Sequence, residues 1–124
     1  MKKLLVFVCL ATVLAAGAFA AVFDFTLVNQ TGYGIDAVFV SPADDNDWGD
    51  DVLGEDVLPN KKSWEIEFDP PYETLLLAFG IDKYDLKCEY EDGSVDEWYD
   101  LKLEEINTLT LTLDKKGNGV ATWK

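Results

Sequence analysis

From Val22 onward apolar residues recur at every second position, and no window of helical length carries a sustained spacing of three to four. That pattern predicts strands. Phe23, Phe25 and Leu27 alternate with Asp24 and Thr26 before the turn-forming run Asn29-Gln30-Thr31-Gly32. A second strand is expected from Gly34 to Ser41, where Ile35, Ala37 and Phe39 compete with Val38 and Val40 for the inward face. Trp64, Ile66 and Phe68 alternate with Glu65, Glu67 and Asp69 until Pro70-Pro71, where the missing ladder donor stops the pairing. The segment LLLAFG, Leu75 to Gly80, lacks alternation and reads either as a strand covered on both faces or as a short buried helical turn.

The clearest alternation lies in KYDLKCEYE. Tyr84, Leu86, Cys88 and Tyr90 share one parity, and Lys83, Asp85, Lys87, Glu89 and Glu91 share the other, so Cys88 is expected to point inward. Asp92-Gly93 is a two-residue hairpin turn. On the returning strand Val95, Tyr99, Leu101 and Leu103 fall on one parity, which leaves Trp98 on the solvent side. Leu109, Leu111 and Leu113 alternate with threonines, and Gly117-Asn118-Gly119 turns the chain toward a last strand ending near Trp123. About seven short strands in about a hundred residues predict an all-β fold, a single antiparallel β-sandwich of immunoglobulin-like architecture, with a small barrel as the alternative. Residues 42–63 form the one long connection, and loops of that length in a compact domain carry function or hidden structure.

The N-terminal stretch MKKLLVFVCLATVLAAGAFA joins two lysines to an apolar run and a small-residue end, Ala18-Phe19-Ala20. Residues 1–20 therefore read as a signal peptide cleaved after Ala20, taking Cys9 with it, and residues 21–124 as the β-sandwich domain. The run from Leu4 to Ala16 is shorter than the roughly 20 residues a bilayer crossing needs. The mature protein is expected to be secreted or periplasmic, without membrane insertion.

Removing the leader leaves eight lysines against 24 acidic residues, a net charge of −16. Such a field repels phosphate backbones and anionic headgroups, so nucleic acid is not an expected partner. An unknown protein with a basic surface, a neutral glycan or a cation remains admissible, unless the charge serves only to keep a monomer soluble. Cys88 is the one cysteine left, so no intramolecular disulfide forms and the core must supply the stability.

The chain has no histidine and no arginine, which removes the usual general base and every nucleophile that depends on it. No catalytic residue and no resident cofactor are predicted. Paired carboxylates are the remaining enzymatic route, to a small glycosidase-like activity, but Glu65, Glu67, Asp85, Glu89 and Asp96 fall on expected solvent faces, where pKa values stay ordinary. A hard cation suits the composition better, because calcium takes several carboxylate and carbonyl oxygens. Set on the helix-loop-helix calcium template, DDNDWGDDVLGE places Asp44, Asn46, Gly49 and Glu55 correctly. Trp48 stands where an oxygen ligand belongs and Asp51 where an apolar residue docks, so the hand does not fit. A looser calcium site built from Asp44, Asp45, Asp47, Asp50 and Asp51 is the surviving metal expectation, against a solvated loop whose aspartates cap its own turns. Trp48, Leu53, Val57 and Leu58 are too apolar for a purely hydrated loop. Trp48 is expected either to anchor the loop on the sandwich or, like Trp98, to meet a partner.

The succession LVNQTGYGIDAVFVSP, WGDDVLGEDVLPN, YDLKCEYEDG and LEEINTLTL resembles a group of small exported bacterial proteins with an N-x-T-G-x-x-I opening, a VSP-to-WG-x-D-x-L loop and a YEDG hairpin. The resemblance spans nearly all of the mature chain and implies an exported single β-sandwich domain, without implying an activity. It also implies glycine after the asparagine of LPN, where this chain has Lys61, and in some members cysteines near Asp82 and Leu103, where this chain has none.

Overall fold

The computed structural model describes residues 6–7 and 22–124. The expected leader, residues 1–20, therefore lies outside the described residues except for Val6–Phe7. Among the described residues no helix is long and apolar enough to cross a membrane.

The elements in chain order are β1 (Val6–Phe7), β2 (Phe25–Asn29), β3 (Ile35–Pro42), β4 (Ser63–Phe68), α1 (Pro70–Ala78), β5 (Lys83–Tyr90), β6 (Val95–Lys102), a 3-10 turn (Leu103–Glu105), β7 (Thr108–Leu113) and β8 (Gly119–Trp123). One sheet runs β1-β4-β2-β7-β8 and the other β3-β5-β6. Phe25, Leu27, Ile66, Phe68, Leu109 and Leu111 of the first sheet and Val38, Val40, Tyr84, Leu86, Cys88 and Leu101 of the second form one continuous buried cluster. Each fully buried side chain of this kind contributes about 1.5 to 3 kcal/mol. Phe23, Phe68 and Tyr84 meet edge-on or tilted, with ring centroids 5.1 to 5.6 Å apart.

The all-β sandwich expected from the alternation is present. Its pairing is antiparallel except between β2 and β7, which run parallel, Leu27 opposite Leu109. The likeness to the immunoglobulin sandwich stays at the level of architecture, because β2 here sits between β4 and β7 and its order does not follow the A-B-E-D and C-F-G sheets.

Of the two readings of LLLAFG the helical one holds, although the turn is not a buried one: Leu75–Ala78 close α1, Pro70 and Pro71 occupy its first turn, where a missing N–H costs nothing, and Gly80 at φ 74 follows its end. Only Glu73 and Leu76 of α1 are buried, whereas Leu75, Leu77 and Phe79 are exposed. Trp98 is not solvent-side, since it is half-buried against the core opposite Leu86, and Val95 and Tyr99 are exposed instead. The reason is a bulge: Tyr99 and Asp100 together oppose Asp85, Asp100 takes φ 58, and its N–H donates to Asp85 Oδ1 at 2.9 Å. That inserted residue returns Leu101 to the core and buries Asp85, which parity alone places in solvent. A second bulge at Asp36 settles the facing of β3, so that Ile35 before it and Val38 and Val40 after it all point inward.

Candidate functional site

Loop 42–58 folds onto the outer edge of β3. Val52 N–H donates to Val38 O at 2.8 Å, and Ile35 and Leu58 exchange backbone bonds of 2.9 and 2.8 Å. Asp51 Oδ1 accepts from both Val38 N–H and Leu53 N–H at 2.9 Å, acting as a backbone substitute along that edge. Val52, Leu53 and Leu58 are buried in the core, so they anchor the loop. Trp48 is half-buried on the outer face of the small sheet, where Lys87 Nζ lies 5.8 Å from its ring and 5.4 Å from that of Phe39, within cation–π range. Asp47 Oδ1 accepts from Gly49 N–H, while Asp44, Asp45 and Asp50 are exposed. Among the described residues no three carboxylate, histidine or cysteine side chains come together in a set that could hold a metal ion.

The buried Asn29 ties the loop to the opening turn. Its Nδ2 donates to Tyr33 O and Leu58 O at 2.7 and 2.9 Å, and its Oδ1 accepts from Thr31 N–H and Oγ1. Gly32, at φ 93, donates its N–H to Asn60 Oδ1. The Asn-x-Thr-Gly pattern is thus a structural clamp, which presents Tyr33 at the surface.

Tyr33 borders a cleft of about 380 Å³ that sequence reasoning missed. Its walls are Tyr33, the β5–β6 hairpin residues Tyr90, Asp92, Ser94, Val95 and Asp96, and the β7–β8 turn. Tyr90 donates its hydroxyl to Asp96 Oδ2 at 2.9 Å, and burial pushes the Tyr90 phenol well above its usual range, so it stays neutral. Ser94 hydroxyl and N–H bonds hold Asp92 below the usual carboxylate range. Asp96 packs against Gly119, where an added Cβ would overlap its carboxylate and crowd the Trp98 ring. In sequence the place shows only as separate turn signals, at Asn29–Gly32, Asp92-Gly93 and Gly117–Gly119, because the three walls are brought together from positions 33, 90–96 and 113–117.

Asp24 is the carboxyl whose pKa is pushed up, to about 6, chiefly by burial and then by Glu73, Glu67 and Glu65, against an opposing bond from Phe68 N–H. It does not line the cleft. Cys88 is fully buried and its thiol is pushed far above the reactive range by desolvation, so it is a core side chain.

No protein-family model matches the chain, and no curated protein matches it. An NMR structure of a protein from Eubacterium rectale superimposes with a TM-score of 0.54 at 16% identity, over 81% of this chain and 85% of that one. At that identity the likeness shows the fold alone.

Proposed function

We propose that the protein is an exported, non-catalytic binding module whose cleft receives a lysine or arginine side chain from a partner protein. The observation that carries this reading is the pairing of aromatic and anionic walls, with Tyr33 52% exposed beside Asp92 and Asp96, in a chain of net charge −14. A cation gains from the tyrosine face and from a carboxylate at once. Asp92, held ionised by its turn, is an acceptor and not an acid, which supports binding over glycoside hydrolysis. The aspartates of loop 42–58 are read as edge cover and solubilising charge instead of a calcium site.

Titration of the isotope-labelled protein with a hexapeptide containing lysine and arginine should shift the amides of Tyr33, Ser94 and Asp96. Tyr33→Ala should weaken that binding about tenfold, the size of one cation–π contact, with stability unchanged. The same shifts produced by a neutral oligosaccharide, and not by the peptide, would transfer the cleft to glycans. Silence with both ligands at millimolar concentration sinks the reading.

A further inference from the structure

The outer edge of β4 shares no residue with the cleft lining. In β4 the even-numbered backbone groups face β2: Lys62 O accepts from Asn29 N–H at 2.9 Å and Phe68 N–H donates to Asp24 Oδ1 at 2.8 Å. By the alternation of a strand, the N–H and C=O of Ser63, Glu65 and Glu67 point the opposite way, toward the sheet edge. Val6–Phe7 already lies antiparallel on that edge, with Phe7 opposite Glu67 and Val6 opposite Phe68. This edge therefore accepts an added strand. Among the described residues nothing pairs outside Ser63 to Ile66.

Two features define what fits there. On the inward face stands Trp64, half-buried at the margin of the core, its indole N–H out of solvent contact and without an acceptor. An apolar residue on the inner side of an added strand would cover the exposed remainder of that ring. On the outward face stand Glu65, which is exposed, and Glu67, which is partly so, two negative charges on alternate positions of the same strand. A second copy of this chain, pairing β4 to β4, would set these glutamates against each other, and like charges directly opposite destabilise a strand pair. A strand carrying lysine or arginine at alternate positions reverses that sign.

We infer that β4 binds an extended partner segment in which apolar residues alternate with basic ones, added antiparallel along Ser63 to Ile66, beside the Glu67–Phe68 stretch that Val6–Phe7 covers, by main-chain hydrogen bonds. The test is hydrogen exchange, read amide by amide on the full chain, with a synthetic decapeptide alternating valine and lysine. Glu65 N–H should exchange at least about tenfold more slowly with peptide present, while Trp64 and Ile66, already paired to β2, keep their rates. A decapeptide alternating valine and glutamate should give no protection. Glu65→Pro removes the central outward N–H of the edge strand together with the carboxylate that accepts from Thr26 Oγ1 at 2.9 Å, and it should abolish the protection that the peptide gives the neighbouring outward amide, Ser63 N–H, while leaving the fold intact. If that variant unfolds, N-methylation of the valine–lysine peptide on its pairing side must abolish protection instead. Unchanged Glu65 exchange at millimolar peptide overturns the inference, as does equal protection by the glutamate peptide. Protection that grows with protein concentration alone overturns it too, by assigning the edge to a second copy.

Discussion

Asp24 sets burial against ionisation in a way that a titration can read. Its folded pKa stands near 6 against an ordinary 3.8, so the native state holds the proton more tightly than the unfolded chain does. The sign follows from linkage: this group favours folding fully below about pH 4, and that contribution is lost as pH rises through about 6. Two units correspond to about 3 kcal/mol, but the group is half-exposed, and solvent screening reduces the effect to about 1 kcal/mol. Asp24→Asn keeps an oxygen for Phe68 N–H and removes the charge. Its stability should equal wild type at pH 3.5 and exceed it by about 1 kcal/mol at pH 7.5, measured by denaturant melts; a difference that does not vary with pH would contradict the assignment. Lys61 carries the other local strain, with φ 72 at a residue that has a Cβ. Lys61→Gly should raise stability by about 0.5 kcal/mol, the relieved strain less the extra freedom of the unfolded chain, whereas Lys61→Ala should change nothing measurable.

Among the elements, strands are legible wherever the period of two runs unbroken. In β2, β5 and β7 the inward residues Phe25, Leu27, Tyr84, Leu86, Cys88, Leu109 and Leu111 are the ones alternation selects. Parity counting fails at one inserted residue, and β6 holds such a residue at Asp100, so Trp98 and Tyr99 exchange faces. The helix α1 is hidden for a different reason: Leu75, Leu76 and Leu77 surround its axis, so no apolar stripe marks it. The cleft is illegible because its walls come from three separate turns. Loop 42–58 stands out in the sequence by its length, but its work does not, since a carboxylate that replaces a backbone acceptor looks in sequence like any acidic residue. Asp51→Ala tests that work. Two N–H groups, of Val38 and Leu53, lose their acceptor, which should cost about 2 kcal/mol in a denaturant melt and speed exchange of the Val38 amide. With the β3 edge then uncovered, the variant should also aggregate at lower concentration than wild type. Wild-type stability in the variant would mean that Val52 and Leu53 alone hold the loop.

Across the whole molecule, charge governs the response to solution conditions. The chain carries a net charge of −14, with 10 lysines against 24 acidic residues, and Lys87 pairs with Glu89 at 3.6 Å. Most carboxylates thus repel one another without a cation to offset them, and folding brings them closer together. Salt shortens the reach of that repulsion, to about 10 Å at 0.1 M and 3 Å at 1 M. The melting midpoint should therefore climb steadily as sodium chloride is raised from about 0.01 to 0.5 M at pH 7.5. The climb should shrink at pH 4.5, where part of the charge is already neutralised. Calcium and magnesium offer a sharper comparison, because both screen alike at equal concentration, while a coordinating site distinguishes them by size and ligand number. Asp51 spends Oδ1 on two backbone donors, and the neighbouring aspartates do not converge with it, so the two ions should raise the midpoint equally at millimolar concentration. An excess of several degrees for calcium alone, lost in Asp47→Asn or Asp50→Asn, would restore the acidic loop as a cation site and replace its solubilising role with a specific one.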